Sequence, residues 1–367
     1  MQQPLDRNKL LQAIDKVIDG MKHLRISIEE DTPFSIISIN HWDWSQGVGM
    51  FSLYRYYKET NRRDILDYLI DWYDARISEG LPSKNVNSMC PMLTLSFLYE
   101  ETGNPDYLDL CKEWAGYAAD EMPRTAEFGI THVTIEQDNS GELRDDTLYM
   151  TVLFLGRMGM LLGRDDYVQE SLRQYLVHMK YLIDTRTGLF YHGWSFIGRH
   201  NFAKALWGRG NAWYAAGLVD YLDMVKLPLG VEIYLLTTLE RQIEQLAKLQ
   251  SESGLWRTLL DDPDSYEETS ATAGLAYSIL KAIRKGYVVD EYGNVAMKAV
   301  QGVLAMIDEE GMVQGVSYGT RMGQTLDFYR SIPRCPMPYG QSMALLMLVE
   351  ALRHLPGEEN TSRRVSR

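Results

Sequence analysis

A helical pattern that recurs six times constrains the fold of this chain more than any other feature of its sequence. Each recurrence is an apolar helix rich in small residues, and a short polar or glycine-bearing segment, here called a lead, precedes it. Between these stretches lie amphipathic patterns, for example in 65–77 and 166–183, whereas strand-like alternation is scarce. The recurring stretches begin about 40 to 70 residues apart, at Trp42, Lys84, Arg144, Gly208, Glu267 and Tyr339.

Each repeat predicts a helical hairpin in which one helix is buried and its partner is amphipathic. Six such hairpins favour an all-α fold, a closed (α/α)6 barrel, with residues 1–357 as a single domain and 358–367 as a flexible charged tail. An open solenoid is the alternative, but it would need polar terminal repeats and would not need leads of one type. In a closed ring the six leads gather at one mouth, and we expect the functional site there.

Charge and cysteine content exclude several classes of protein. The net charge of −13 argues against broad nucleic-acid binding, which needs a basic face. Nowhere do 18 apolar residues run together, and the first helix lacks the apolar core of a signal peptide, so we expect a cytoplasmic protein without a membrane partner.

Cys90, Cys111 and Cys335 form no CxxC pair, which favours structural thiols over disulfides or a zinc site. The oligomeric state stays open.

The leads and the connectors between helices concentrate residues that can bind a sugar. Aromatic faces stack on sugar rings, while arginine and histidine neutralise a carboxylate, so this composition suits an acidic sugar. The alternative for each single residue is an ordinary role in the core. The residues concerned are His41, Trp42, Asp43, Trp44, Asn87, His132, Asp146, His192, Trp194, Arg199, His200, Trp207, Arg209, Trp213, Trp256 and Glu268.

Two adjacent carboxylates, Asp145 and Asp146, come directly before the third apolar helix. An aspartate is a favoured helix N-cap, and one would suffice for that role. A second carboxyl that points into a cleft can act as a general acid or base, because desolvation raises its pKa. The stretch taken alone favours capping.

Several motifs in order along the chain resemble one enzyme family. They are RDDTLYM at 144–150, GLFYHGW at 188–194, the tryptophans and arginine of Trp207, Arg209 and Trp213, GLW at 254–256, and the glycine-containing lead of the last helix. This set is similar to the unsaturated rhamnogalacturonyl hydrolases, glycoside hydrolase family 105, which are related to the unsaturated glucuronyl hydrolases. The resemblance extends from about Trp42 to the last helix.

The resemblance implies a six-hairpin barrel that acts on the oligosaccharides left by polysaccharide lyases. The terminal uronic acid of these oligosaccharides carries a double bond between carbon 4 and carbon 5. Members of the family hydrate this bond: an aspartate protonates carbon 4, water adds at carbon 5, and the resulting hemiketal opens and expels the neighbouring sugar. The resemblance implies no metal and no organic cofactor.

The resemblance also implies roles for individual residues. Asp146 matches the catalytic aspartate, which leaves Asp145 as a cap or a supporting group. Arg209 is expected to bind the substrate carboxylate, Trp213 to stack on the sugar, and His192 to orient the water or a hydroxyl. The full predicted substrate-binding set is His41, Trp42, Asp43, Asn87, His132, His192, Trp194, Arg209 and Trp213.

One position departs from the family pattern. Relatives often carry a second aspartate on the second lead, where this chain has Asn87. An amide can hydrogen-bond a hydroxyl but cannot exchange a proton at neutral pH. Either this chain is impaired, or Asp43 on the neighbouring lead replaces the carboxylate, or the second aspartate only tunes binding.

Two other functions stay open at the level of sequence. The first is a conventional glycosidase with two carboxylates, Asp146 paired with Asp43 or Glu268, which would cleave saturated glycosides. The second is a helical-repeat protein that binds sugar without catalysis, in which replacement of Asp146 would change nothing.

Overall fold

The computed structural model describes residues 5–24, 38–134 and 139–355, and almost all of its regular structure is helical. Within these ranges the α-helices are α1 (Arg7–His23), α2 (Trp44–Thr60), α3 (Arg63–Glu79), α4 (Cys90–Thr102), α5 (Pro105–Asp120), α6 (Leu153–Leu162), α7 (Asp165–Leu182), α8 (Gly208–Met224), α9 (Leu229–Leu249), α10 (Thr269–Arg284), α11 (Gly293–Leu304), α12 (Leu326–Arg330) and α13 (Pro338–His354).

The six apolar helices form a closed inner ring. Neighbours pack in the order α2, α4, α6, α8, α10 and α13, and α13 packs against α2 to close the circle. The predicted (α/α)6 barrel is therefore confirmed, and the open solenoid is wrong because no gap separates the first inner helix from the last.

The amphipathic helices form the outer layer. Helices α3, α5, α7, α9 and α11 each pack against the inner helix that precedes them, and α1 packs against α13. The apolar face of α1 is buried, and Arg7 donates a hydrogen bond to the carbonyl of Leu352 at 3.1 Å. The sixth hairpin is thus built from the two ends of the described chain.

Small residues let the inner helices approach one another. At Gly47 in α2, an added Cβ would lie 2.6 Å from the backbone nitrogen of Pro91 in α4. Only glycine allows so close a contact between two backbones.

Two short antiparallel ladders each join a lead to a connector between helices. Strand β1 (Glu142–Arg144) pairs with β2 (Gly193–Ser195), and β3 (Trp256–Arg257) pairs with β4 (Glu267–Glu268). The first ladder aligns Arg144 with Gly193, which brings the lead of α6 beside the GLFYHGW motif. Few and short strands agree with the scarcity of alternating patterns in the sequence.

A group of charged residues lies towards the carboxyl ends of the inner helices, away from the leads. This far-end cluster consists of Arg55, Asp220, Asp223, Lys281 and Glu350. Lys281 forms ion pairs with Asp220 and Asp223, and the Tyr277 hydroxyl donates to Asp220 at 2.7 Å. Lys281, Asp220 and Glu350 are about 1% exposed, so these charges compensate one another inside the protein.

Cys90, Cys111 and Cys335 are free thiols. Helices that combine the length and hydropathy needed to cross a bilayer are not found in the described ranges. The tail predicted for 358–367 lies outside the described residues, and the domain boundary at 357 stays a prediction.

Candidate active site

Asp146 lies at the mouth of the ring, immediately before an irregular first turn of the third inner helix. Residues Leu148–Val152 form a π-helical turn, and α6 begins only at Leu153. The carbonyl of Asp146 accepts hydrogen bonds from the amides of Tyr149 and Met150, both at 3.0 Å. Single π turns are frequent at functional sites because they change the direction of neighbouring side chains.

The Asp146 carboxyl is well placed to exchange a proton. Its side chain is 19% exposed, and Oδ1 lies 3.3 Å from Nδ1 of His132. Burial raises the pKa of Asp146 from 3.8 to about 6, although the positive charges of Arg144 and Arg209 oppose this effect. A carboxyl with a pKa near neutrality can serve as a general acid and then as a base.

Asp145 lies behind Asp146 and is fully buried. Within the described part of the chain, no side chain donates a hydrogen bond to its carboxyl, and no side chain caps the turn that begins at Leu148. Of the two roles expected for Asp145, the cap is therefore wrong and the supporting role stays a prediction. Burial and the charge of Asp146 raise the pKa of Asp145 well above its ordinary value. Its Oδ2 lies only 1.9 Å from where a Cβ would stand at Gly210, so the glycine of the WGRG stretch makes room for this carboxyl.

Two histidines lie beside the carboxyls. His132 is 3% exposed, and its Nδ1 lies 2.8 Å from Oγ1 of Thr147. The carbonyl of His192 accepts the amide N–H of Asp145, and its ring packs against Trp207 with the centroids 4.3 Å apart. Burial, strengthened by nearby positive charge, lowers the pKa of both histidines well below 6.5, so both are neutral at pH 7.

Arg209 lies under the mouth and is held by the protein. Its guanidinium donates to the carbonyls of Ser317 and Tyr318 and to the hydroxyl of Thr320, and it is 1% exposed. Nη1 also lies 3.6 Å from Oε1 of Glu268. Nε of Arg209 is buried and has no hydrogen-bond partner among the described residues. The predicted contact between Arg209 and a substrate carboxylate stays a prediction.

Glu268 is engaged as fully as Arg209. Its carboxylate accepts hydrogen bonds from the Ser270 hydroxyl, from the amide of Ala271 and from the amide of Ser317, and the residue is completely buried. These contacts join the lead of α10 to the segment before α13. Such a carboxylate stabilises the mouth and has little capacity left to activate water.

Aromatic residues line the floor below Asp146. Trp213 is 1% exposed and packs against Tyr149 at 5.0 Å and edge-on against Trp44 at 5.9 Å. Trp44 is half-buried and stacks on Tyr339 at 4.8 Å. Trp44 is therefore the ring of this group with the better access to a ligand.

Residues of the first lead lie partly in the core and partly at the mouth. Trp42 is 7% exposed, stacks on Trp72 and donates its indole N–H to the carbonyl of Ser88 at 2.8 Å, which joins the first two leads. Asp43 caps α2 by accepting the amide of Trp44 at 2.7 Å. His41 is half-buried, and burial followed by the charge of nearby Arg76 lowers its pKa.

Asn87 and Trp194 lie on either side of the central group. The amide of Val86 donates to the carbonyl of Val133, so the turn containing Asn87 runs beside the segment that carries His132. Trp194 packs against Tyr181 on α7, with the ring centroids 5.2 Å apart. The substrate contacts predicted for these residues, as for the rest of the set, stay predictions.

Several residues between α11 and α13 contact the predicted site residues, although no sequence motif indicated them. Ser317 and Thr320 hold Arg209, while Met322 and Tyr329 lie against the GLFYHGW segment. The local signal in this segment is a glycine at every fourth position, at 311, 315, 319 and 323. In the described ranges no group of three or more His, Cys, Asp or Glu side chains is arranged to hold a metal ion.

A closed (α/α)6 ring with a protonatable carboxyl, neutral histidines and aromatic rings at one mouth defines a class of barrel hydrolases that act on sugars. The chain belongs to Glycosyl Hydrolase Family 88, whose pattern matches residues 17–355. It is a glycoside hydrolase, which confirms the resemblance and removes the non-catalytic alternative.

Individual relatives agree with this assignment. The unsaturated rhamnogalacturonyl hydrolase YesR of Bacillus subtilis is 33% identical over 315 residues, which cover 85% of this chain and 90% of the relative. A crystal structure of a possible family GH105 member from Salmonella enterica serovar Paratyphi A is 45% identical, with a TM-score of 0.92 and 96% of each chain covered. The unsaturated glucuronyl hydrolase of Bacillus sp. GL1 shares the fold, with a TM-score of 0.70 at 17% identity over 95% of this chain and 97% of its own.

Proposed function

We propose that this enzyme removes the terminal 4,5-unsaturated galacturonyl residue from rhamnogalacturonan oligosaccharides by hydrating the double bond. YesR, named for activity of the rhamnogalacturonyl type, supports this class of substrate. The observation that carries the proposal is the Asp146 carboxyl, partly exposed at the mouth with a pKa of about 6.

In the proposed reaction Asp146 gives its proton to carbon 4 and then takes one from the water that adds to carbon 5. The new hemiketal opens by breaking the bond between carbon 5 and the ring oxygen, and the hemiacetal left at carbon 1 releases the neighbouring sugar. Asp146 must be protonated at the start, so turnover falls as pH rises through about 6. Trp44 and Trp213 supply the aromatic surface below this carboxyl.

The hydrogen bonds of Glu268 count against the conventional two-carboxylate alternative. A glycosidase of that kind needs a second carboxyl free to act across the cleft. Glu268 already accepts three hydrogen bonds while fully buried, and Asp43 caps α2. Neither has the freedom of Asp146.

The first test compares wild type with Asp146→Asn on lyase-generated rhamnogalacturonan and glucuronan oligosaccharides. We expect wild type to remove the ultraviolet absorbance of the conjugated double bond, and the variant to be about 10²–10⁴-fold slower. Asp166→Asn is the matched control, because it makes the same change in an exposed first-turn carboxylate of α7.

Two further measurements separate the mechanisms. In heavy water, hydration by the enzyme adds deuterium to one face of carbon 4, whereas conventional hydrolysis releases an unsaturated sugar whose spontaneous ring opening and tautomerisation deuterate both faces; the product formed at early times distinguishes the two. Cleavage of saturated galacturonides at a comparable rate would contradict the proposal. If wild type leaves every unsaturated substrate intact while folded, Asn87→Asp tests whether the missing carboxylate is the reason.

A further inference from the structure

The segment between α11 and α13 carries a tyrosine that reaches the site from far along the chain. Tyr329 in α12 is fully buried, and its hydroxyl oxygen lies 2.7 Å from Nδ1 of His192, 137 residues away in sequence. The segment packs closely against the GLFYHGW motif: a Cβ added at Gly193 would lie 2.4 Å from Cε of Met322.

The hydrogen bonds around the Tyr329 hydroxyl indicate where its proton points. The amide of Gly323 donates to this oxygen at 3.1 Å, and a backbone amide can only donate. Burial raises the pKa of Tyr329, so the phenol keeps its proton and has one O–H to give. The two acceptors within reach are Nδ1 of His192 at 2.7 Å and Sδ of Met322 at 3.8 Å.

The imidazole nitrogen is the better acceptor of the two. A thioether sulfur accepts hydrogen bonds weakly, and this one is more than 1 Å farther away. When Nδ1 of a neutral imidazole accepts, the proton of the ring must be on Nε2. Nε2 makes no hydrogen bond to any residue in the described ranges, so its N–H is available to a ligand.

The ring of His192 is also held in place. Trp207 packs against one side, and the His192 backbone bonds to Asp145 and Ala205 place it next to the two carboxyls. A neutral Nε2–H can donate to a sugar oxygen but cannot take a proton from water. In either role that sequence left open for His192, orienting the water or a sugar hydroxyl, the ring would therefore act as a hydrogen-bond donor.

We propose that Tyr329 is a positioning residue, whose hydroxyl holds His192 as the Nε2–H tautomer so that His192 donates a hydrogen bond to an oxygen of the substrate. This inference rests on the proposed function for the identity of that substrate, but the state of the histidine can be measured without any substrate.

The first experiment is nitrogen-15 NMR of the whole protein with labelled histidine, in which His192→Ala assigns the His192 signals among the seven histidines. At pH 7.5 we expect a protonated Nε2 and an unprotonated Nδ1. In Tyr329→Phe, which removes only the hydroxyl, the two nitrogen shifts should move towards each other as the tautomers mix. A protonated Nδ1 in wild type would overturn the proposal.

The second experiment is kinetic. Tyr329→Phe should lower kcat by roughly 10- to 100-fold, the range seen when the groups that orient metal-bound histidines are removed. Tyr234→Phe is the matched control, because it removes the hydroxyl of an exposed tyrosine in α9, and it should leave kcat unchanged.

A double-mutant comparison excludes a merely structural role. In the His192→Ala background, Tyr329→Phe should lower kcat by less than about a further 2-fold, because the group that Tyr329 orients is already absent. An equal loss in both backgrounds would mean that Tyr329 acts through something other than His192. If wild type processes no unsaturated uronide, the proposed function fails, while the NMR result still decides the tautomer.

Discussion

The two ends of this barrel both bury charge, and they do so in opposite ways. In the far-end cluster each buried charge faces an opposite one, as Lys281 faces Asp220 and Asp223. At the mouth two adjacent carboxyls, Asp145 and Asp146, are buried with few partners.

The pKa values show what this difference does. Burial acts to raise the pKa of Asp223, but Lys281 and Lys285 outweigh it and lower the pKa to about 2. Burial is equally the largest influence on Asp146, yet the pKa there rises to about 6 because Arg144 and Arg209 compensate it only in part. Burial alone therefore does not raise the pKa of a carboxyl, whereas burial with too little compensating positive charge does.

The largest effect on stability is expected from breaking the far-end cluster. Lys281→Met leaves Asp220 buried without its cation and should lower the free energy of unfolding by about 3–5 kcal/mol. Urea unfolding followed by circular dichroism measures this loss. Lys285→Met is the control, since that lysine is partly exposed and its pair with Asp223 should be worth less than about 1 kcal/mol.

At the mouth, removal of a carboxyl should stabilise the protein. The pKa of Asp145 is raised on folding, so its contribution to stability is complete below pH 3.8 and is lost as pH rises towards the folded value. An asparagine at this position cannot ionise. The free energy of unfolding of Asp145→Asn should therefore increase relative to that of wild type by about 1.4 kcal/mol per pH unit, while the folded carboxyl of wild type stays protonated. Urea midpoints between pH 4 and pH 8 test this, and a constant difference would contradict it.

Asp146→Asn should also be more stable than wild type, but its gain should stop growing at a lower pH. The folded pKa of about 6 means that its gain over wild type grows from pH 3.8 and levels off above pH 6, at about 2–3 kcal/mol. The same urea series serves, with Asp166→Asn as the control. A gain that keeps growing beyond pH 7 would assign the higher pKa to Asp146 rather than to Asp145.

The smallest effect concerns the space that holds Asp145. Gly210→Ala places a methyl group where the Asp145 carboxyl lies and should cost about 1–3 kcal/mol, with loss of activity as the carboxyls shift. Thermal unfolding and turnover measure both. Gly230→Ala, in the first turn of α9 with open space around it, should be neutral or slightly stabilising.

The inner ring could be predicted from sequence because each inner helix is constrained by a repeated local pattern. The stretch starting at Gly208, for example, became α8 with the same first residue. Asp146 could be located because it stands at a helix start within a motif. In both cases the determining residues are close together along the chain.

The details of the site depend on contacts that no local pattern reports. Tyr329 meets His192 across 137 residues, and its helix of five residues has no counterpart in the repeat. Trp42 and Trp44 are two positions apart and look equivalent in sequence, yet one packs into the core and the other borders the floor. The π turn after Asp146 contains neither glycine nor proline, so no residue type in the sequence indicates it.

The pairing of α1 with α13 has a consequence for how the enzyme is made. Five hairpins can form from neighbouring segments as the chain leaves the ribosome, but the sixth joins helices more than 300 residues apart. Until α13 emerges, the apolar face of α1 lacks the helix against which it mainly packs, and α2 lacks one of its two neighbours in the ring. Packing of α13 against α1 and α2 closes the longest loop in the fold. The mouth that carries Asp146 is therefore first complete at this step of biosynthesis.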